Sequence, residues 1–196
     1  SGLTESDLYW RFFDAMPFYA EKTWAATGKE KGTAAKLTAL AAKQGTGPRT
    51  NPYYQATSKN SVYESYDFND GLADASGNGR DLTIGDGSKA AVKDQSLKLA
   101  GGSSYATSKL DKLGNGNELT FDVTLQQAAK PGDILFEADA PYGTHDIRVM
   151  ENGKLGFTRE LYNYYFDYEL PVGKTVTVTI KVDQQTTKLY VDGEFV

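Results

Sequence analysis

The stretch Tyr66–Ile84, YDFNDGLADASGNGRDLTI, decides the predicted fold class of this chain. Its aromatic start predicts a strand, its Asp/Asn/Gly cluster predicts turns, and its β-branched end predicts a strand that runs back. Thr187–Val196, TKLYVDGEFV, predicts another strand that ends at an Asp-Gly hairpin turn. The two segments indicate an antiparallel β-protein built from short strands.

Alternation of apolar and polar residues extends this pattern over the second half of the chain. Leu119–Leu125 and Val176–Val182 have apolar residues at every second position, with Thr, Asp, Lys or Glu neighbours between and beside them. Asn152-Gly153 separates two further strand patterns and predicts a tight hairpin. About a dozen strand patterns recur at regular spacing, which favours an antiparallel β-sandwich.

The start of the chain has a helical pattern instead. Thr4–Asp7 has the form of a capping box, and apolar residues follow it at helical spacing. Pro17 predicts a kink or the start of a second helix. Thr33–Gln44 repeats Ala and Leu at helical spacing, and Gly45 is a candidate C-cap. We therefore predict two or three helices over residues 1–45, a linker over 46–60 and a β-sandwich over 61–196.

Composition limits the classes of partner. The 196 residues are 39% hydrophobic and 12% aromatic, which is enough for a core, and they include 20 Gly and 13 Tyr. The formal net charge of −5 comes without a basic stripe, which argues against a nucleic acid or a membrane surface as partner. Because the chain has no cysteine, disulfides and thiolate metal sites are excluded. No apolar run approaches the roughly 20 residues of a membrane helix.

Both ends of the sequence suggest an excised piece of a longer protein. The start, SGLTESDLYW, lacks the basic and apolar regions of a signal peptide. At the other end, Asp192-Gly193 predicts a turn into a return strand, but the sequence stops at Val196. We therefore expect a sandwich that is truncated at its C-terminus and has an open sheet edge.

The helical segment DLYWRFFDAMPFYAEKTWAATGK contains Arg11, Pro17 and Ala20–Trp24 in that order. It resembles the closing helices of the (β/α)-barrel in family-20 glycoside hydrolases, the β-N-acetylhexosaminidases. Three later segments are DFNDGLADASGNGRD, LGFTRELYNYYFDYELPVGK and KLYVDG. They resemble the laminin-G-like, concanavalin-type jelly roll that follows such barrels in secreted enzymes of Gram-positive bacteria.

The resemblance implies an accessory module of a secreted or cell-surface bacterial β-N-acetylhexosaminidase. Such a module packs against the catalytic barrel and either binds N-acetylhexosamine-containing glycans or serves as a structural spacer. The family's catalysis uses an adjacent Asp-Glu pair on a barrel strand, and this sequence contains no Asp-Glu dipeptide. We expect no catalytic residue here. A purely structural spacer and a concanavalin-fold glucanase remain the alternatives.

The aromatic run YNYYFDY, residues 162–168, is the main candidate for glycan contact. In a strand its odd and even positions face opposite sides, so that one side fills the core. The other side presents an amide, a phenol and a carboxylate, an arrangement typical of sugar platforms, although Tyr and Phe also form ordinary cross-strand pairs. Tyr142 from a neighbouring loop and His145 at the start of the next predicted strand complete the set, so the predicted carbohydrate-binding residues are Tyr142, His145, Asn163, Tyr165 and Asp167.

Two further motifs have simpler interpretations. Glu137 and Asp139 alternate like the acids of concanavalin-fold glucanases, but Pro141 stands where a third acid belongs. Asp74–Gly79 imitates the first half of an EF-hand loop, yet Gly85 stands at the twelfth position, so a turn is favoured. We expect no metal-binding side chains and no cofactor. Calcium held by loop carbonyls remains an alternative, since laminin-G-like modules sometimes bind it.

Overall fold

The computed structural model describes residue 12 and residues 15–24, 34–44, 57–110, 116–140, 143–159, 162–183 and 186–196. These residues form mainly β-structure, and the strands of every sheet pair in antiparallel fashion. The predicted mainly β, antiparallel fold class is confirmed. The jelly-roll connectivity and the helical start as part of a barrel remain predictions.

The helices α1 and α2 contact one another, and they span Met16–Trp24 and Ala34–Gln44. The predicted capping box at Thr4–Asp7 and the C-cap Gly45 lie outside the described residues. The strands have the following bounds: β1 Thr83–Ile84, β2 Ala91–Lys93, β3 Ser96–Lys98, β4 Ala106–Thr107, β5 Asn117–Thr124, β6 Ile134–Ala140, β7 Gly143–Val149, β8 Leu155–Arg159, β9 Tyr162–Tyr165, β10 Thr175–Val182, β11 Thr187–Val191 and β12 Glu194–Phe195.

The chain divides into two compact units, one of residues 53–115 and one of residues 1–52 with 116–196. The second unit contains two four-stranded sheets. Sheet 1 has the strand order β12-β11-β10-β5, and sheet 2 has the order β6-β7-β8-β9. The first unit contains two small sheets, β1 with β4 and β2 with β3.

Sheets 1 and 2 share one hydrophobic core. The rings of Phe121 on β5 and Phe136 on β6 approach to 4.8 Å between centroids and so connect the two sheets. Burial of each aliphatic side chain in this core contributes about 1.5–3 kcal/mol. The alternating apolar residues that predicted β10 lie in this core. Its buried residues are Leu155, Phe166, Leu170, Val176, Val178, Ile180, Leu189 and Val191.

The outer face of sheet 1 is a polar surface whose side chains bond to one another across β5 and β10. Thr120 and Thr179 hydroxyls lie 2.9 Å apart, and those of Thr124 and Thr175 lie 2.7 Å apart. The remaining pairs on this face are Thr177 with Asp122 and Lys181 with Glu118. Because these polar groups already have partners, the face needs no ligand to satisfy them.

Both predicted hairpins are confirmed. The β7–β8 hairpin turns at Asn152-Gly153, where Gly153 has φ 80°. The β11–β12 hairpin turns at Asp192-Gly193, with φ 51° and 87° at its two residues. Positive φ at both central residues is typical of the turn that matches the twist of the flanking strands, and an Asp-Gly pair is one of the sequences that supplies it.

The prediction of a strand at the start of Tyr66–Ile84 is wrong. Phe68 has φ 57°, a left-handed conformation that interrupts a strand. Just before it, the Asp67 carboxylate accepts the backbone N–H of Asn69 at 3.0 Å and closes a local turn. Short Asx side chains compete in this way with the ladder of a sheet. Only Thr83–Ile84 of the stretch is a strand, and it pairs with β4.

Candidate functional site

Asp74 organises the loop that resembled a calcium-binding motif. Its Oδ1 accepts the backbone N–H groups of Ser65 at 3.0 Å and Ser76 at 2.9 Å, and its Oδ2 accepts that of Arg80 at 3.0 Å. Burial alone would raise the pKa of Asp74. The hydrogen bonds from the Ser76 side chain and from these three backbone groups outweigh burial and hold the pKa well below its ordinary value. The carboxylate therefore closes the loop.

The remaining polar groups of this motif also face inward. The Asn78 amide donates to the carbonyls of Val62 at 2.8 Å and Tyr63 at 3.1 Å, while its oxygen accepts the Lys59 N–H at 2.8 Å. The Arg80 guanidinium donates to the carbonyls of Tyr63 and Thr57. Within the described ranges, no group of three or more His, Cys, Asp or Glu side chains is arranged to hold a metal ion.

Sheet 2 has two distinct faces, which the strand register assigns. Phe136 pairs with Ile147, Ile147 with Phe157, and Phe157 with Tyr164. Directly paired residues lie on the same side of an antiparallel sheet. Ile147 and Phe157 pack against the hydrophobic core, so this row is the inner face. The Phe157 and Tyr164 rings stack with centroids 4.7 Å apart.

The opposite side of sheet 2 is polar. Asn163 pairs with Thr158, and Asp146 pairs with Glu137. In the next row, Tyr165 pairs with Gly156, which in turn pairs with Arg148. We call this side the outer polar face, defined by the residues Glu137, Asp146, Arg148, Thr158, Asn163 and Tyr165.

Two of the residues predicted to bind carbohydrate lie together on the outer polar face. Asn163 and Tyr165 are both exposed on the edge strand β9. Asp167 follows the end of β9, is exposed and forms an ion pair with Lys154. The Lys154 hydrogen bond and charge lower the pKa of Asp167. Asn163 and Tyr165 thus form the centre of the candidate site, with Asp167 beyond the end of their strand.

Of the other two predicted residues, His145 is not brought to this face. His145 pairs with Ala138 and shares the side of Ile147, so it belongs to the inner face. Its Nε2 is buried and has no hydrogen-bond partner among the described residues. Tyr142 lies outside the described residues, as does Pro141. The prediction that His145 and Asn163 share one binding face is therefore wrong.

Sequence reasoning missed Asp146, Arg148 and Thr158 as neighbours of the candidate site. The signal was present in the hairpin at Asn152-Gly153, because the turn sets the register of β7 against β8. Counting back from that turn brings Arg148 opposite Gly156, and the next step on the same face brings Asp146 to Thr158. The Asp146 N–H donates to Thr158 Oγ1 at 3.0 Å.

Asp146 is the most enclosed residue of the outer polar face, with 4% of its surface exposed. Its Oδ2 lies 3.1 Å from Nη1 of Arg148. Its Oδ1 is buried and has no hydrogen-bond partner within the part of the chain that the structure describes. Unpaired acceptors of this kind are uncommon in folded proteins.

The predicted pair of acids on β6 is placed as follows. Glu137 is exposed on the outer polar face, while Asp139 pairs through its backbone with Thr144. The strand ends at Ala140, directly before Pro141. The carboxylate nearest to Glu137 in the register is that of Asp146 on β7, and not a third acid on β6.

Comparison with known proteins adds no assignment: no family model matches the chain, and no curated protein matches it significantly. In the described residues, neither helix has the length and apolar character needed to cross a membrane.

Proposed function

We propose that this chain is a non-catalytic accessory region of a secreted or cell-surface bacterial β-N-acetylhexosaminidase, and that its sandwich binds N-acetylhexosamine-containing glycans. The observation that carries the binding proposal is the placement of Tyr165 beside Asn163 on the outer polar face. An aromatic ring next to hydrogen-bonding side chains is the usual composition of a saccharide platform. We propose no cofactor for this binding.

The Tyr165 side chain supports this proposal through its exposure. Tyr165 is 50% exposed, and its ring stacks on no other aromatic ring among the described residues. Tyr164, its neighbour on the inner face, stacks on Phe157 instead. A ring left half in water can exchange that water for the C–H face of a sugar, with a gain from the apolar area removed from water.

The polar groups around Tyr165 support the same interpretation. The Asn163 amide is exposed. An exposed amide offers two donors and one acceptor to hydroxyl or acetamido groups. On sheet 1, by contrast, the outward side chains of β5 and β10 bond to one another. The outer polar face of sheet 2 is the better candidate for ligand contact.

Phe12 and the first residues of α1 support the proposed attachment to a catalytic barrel. Phe12, Met16 and Tyr19 are more than half exposed, at 51%, 58% and 68%. Their spacing of four and three residues places them on one side of a helix. Exposed apolar patches mark interaction sites in many proteins. We propose that the barrel of the parent enzyme covers this stripe.

Calorimetric titration with N-acetylhexosamine oligosaccharides tests the binding proposal. We expect saturable heat with the wild-type chain and a loss of at least tenfold in affinity for Tyr165→Ala, because aromatic hot spots of this size carry about 1.4 kcal/mol or more. The matched control is Tyr190→Ala, which removes a tyrosine from the outer face of sheet 1, where its ring contacts Phe195.

The absence of heat at millimolar ligand concentrations would exclude glycan binding by this chain. The structural-spacer alternative would then be favoured. Equal affinities for wild-type protein and Tyr165→Ala would place the binding site elsewhere.

A further inference from the structure

We propose that β9 is a self-association edge: two copies of this chain pair their β9 strands in antiparallel fashion about a two-fold axis, which joins the two copies of sheet 2 into one continuous sheet. This inference goes beyond the proposed function and does not depend on it, because strand pairing uses backbone groups whether or not the face binds a glycan. The occupant of the edge is a second copy of the same chain.

The first observation is the position of β9 at the margin of its sheet. Sheet 2 has the order β6-β7-β8-β9, and within the described residues β9 pairs with β8 alone. All four residues of the strand, Tyr162–Tyr165, are exposed. The far side of β9 therefore presents backbone groups that a further strand can pair with.

The second observation identifies these backbone groups. The Phe166 N–H donates to the Leu155 carbonyl at 2.9 Å, which is the direction of β8. In an antiparallel ladder, the backbone groups of successive residues point to opposite edges of the strand. The N–H and C=O groups of Tyr164 thus face β8, and those of Asn163 and Tyr165 face the open edge.

The third observation is that β9 lacks the features that protect sheet edges. Such features are charged side chains, proline, bulges and very short strands. The opposite edge strand β6 carries Glu137 and Asp139 and has a register shift between Ile134 and Phe136. By contrast, β9 is Tyr-Asn-Tyr-Tyr, and its pairing with β8 is regular.

The other edges of the described sheets are also protected. In sheet 1, β5 carries Glu118 and Asp122, and β12 consists of two residues, one of which is Glu194. The strands of the two small sheets are two or three residues long. Among the described strands, β9 is thus the edge at which pairing with another chain meets least opposition.

The charge pattern selects a second copy as the occupant. Pairing β9 with itself opposes no like charges, because the strand has no charged side chain. Self-pairing at β6 would instead bring Glu137 and Asp139 close to the same acids of the second copy. A two-fold axis perpendicular to the sheet makes the strands antiparallel and keeps the two outer polar faces on one side.

One register uses all the outward backbone groups of β9. It places Tyr164 opposite Tyr164 of the second copy, so that Asn163 lies opposite Tyr165 of the second copy and the reverse pair forms as well. The outward N–H and C=O groups then bond in reciprocal pairs. The second copy also contributes to the candidate site, because each Tyr165 ring lies beside Asn163 of the other chain.

Sedimentation equilibrium of the whole chain, without glycan, tests the inference. A contact of this size is small, so we expect a reversible dimer that forms between about 10 μM and 1 mM. Asn163→Pro removes an N–H that faces the open edge and leaves the β8–β9 ladder intact. It should weaken dimerisation about tenfold or more, because the same N–H is lost on both sides of the axis.

The matched control is Phe195→Pro on β12. The Val196 N–H donates to the Leu189 carbonyl at 3.1 Å, so alternation directs the Phe195 N–H to the open edge of sheet 1. This variant removes an equivalent group from a different edge, and its dimerisation should equal that of the wild type. Loss of the dimer in Phe195→Pro but not in Asn163→Pro would overturn the inference.

Single cysteine variants test the register. The chain has no cysteine, so an introduced thiol has no partner within its own chain. In Tyr164→Cys the two Cα atoms lie about 4.5 Å apart across the axis, which a disulfide can span. In Asn163→Cys they are diagonal neighbours at about 7–8 Å, which is too far. Air oxidation should therefore give a covalent dimer with Tyr164→Cys and little with Asn163→Cys.

The outcomes separate this inference from the proposed function. A chain that stays monomeric at about 1 mM overturns self-association, and heat on titration with glycan would still support the proposed function. A dimer whose titration gives no heat has the opposite meaning. If Asn163→Pro does not fold by circular dichroism, Tyr165→Pro replaces it, and an unchanged dimer in that variant would contradict the inference. Equal cross-linking of Tyr164→Cys and Asn163→Cys would overturn the register.

Discussion

Asp146 and Arg148 lie two residues apart on β7 and form an ion pair of 3.1 Å on the outer polar face. Asp146 is almost fully buried, whereas Arg148 retains 31% of its side-chain exposure. Alternation along the strand puts the two residues on the same side. Asp146 lies within a polar row that runs from Glu137 on β6 across Thr158 on β8 to the exposed Asn163 on β9. The face thus combines the buried carboxylate of Asp146 with the exposed side chain of Asn163.

Gly156 on β8 has no space for a larger side chain. We predict that Gly156→Ala destabilises the sandwich by about 1–3 kcal/mol. A Cβ atom at this position would collide with the Tyr164 carbonyl oxygen and with the Met150 side chain. The backbone oxygen cannot move without disturbing the β8–β9 ladder. The free energy of unfolding from chemical denaturation checks this.

Gly77→Ala is the control for Gly156→Ala. A Cβ at Gly77 meets no atom within 4 Å, and only its φ of 81° opposes the change. We expect that variant to lose about 1–2 kcal/mol through backbone strain and to keep the sandwich core intact. A sandwich with unaltered stability in Gly156→Ala would contradict the packing argument.

Asp74 holds the loop of residues 65–80 together. We predict that Asp74→Ala lowers the free energy of unfolding by about 2–4 kcal/mol. Three backbone N–H groups lose their acceptor in this variant, and hydrogen bonds to a charged group contribute about 1.5–3 kcal/mol each but do not add fully. Asp70→Ala is the control. Asp70 accepts the Ala73 N–H through its backbone carbonyl, and the substitution keeps that group. Equal stability of the two variants would contradict the prediction.

The lowered pKa of Asp74 also predicts a pH dependence. A carboxyl whose pKa is lower in the folded state stabilises the fold above its unfolded pKa, close to 3.8, and this contribution disappears as the pH falls toward the folded pKa. Stability should thus be constant for this group above about pH 5 and decline below pH 4. Denaturation of wild-type protein and Asp74→Asn at several pH values checks this, and identical slopes would refute it.

Hydrolysis is a further test that distinguishes an accessory module from the glucanase alternative. Since Pro141 follows the end of β6 where a third acid would stand, and Asp146 is almost fully buried with one oxygen paired to Arg148, we expect no release of reducing sugar from β-glucan. A measurable release that disappears in Glu137→Gln would favour the glucanase. The same release in Glu137→Gln would point to a contaminant.

Local patterns in the sequence predicted much of the sandwich. Val176, Val178 and Ile180 are buried as their alternation required, and Gly153 and Gly193 adopt the left-handed conformations of their hairpins. Both features depend on neighbours within a few residues. The prediction failed at Tyr66–Phe68, where the Asx turn at Asp67 competes with strand pairing.

The candidate site was predicted only in part. Alternation along one strand put Asn163 and Tyr165 on the same side, but all four residues of β9 are exposed, so exposure alone does not distinguish this side from the other. It gave no information about which residues of β6, β7 and β8 lie beside them. His145 was grouped with them from sequence alone, yet the register puts it on the inner face with Ile147.

By itself, the sequence determined the antiparallel β class, the two hairpin turns and the apolar faces of β5 and β10, because these follow from side-chain period and turn chemistry over short distances. Only the tertiary structure decided that Asp146, Arg148, Thr158 and Asn163 share one face and that Asp146 Oδ1 is enclosed without a partner among the described residues. The reason is that cross-strand neighbours and burial depend on how distant segments pair and pack, and these contacts leave no periodic mark in the chain.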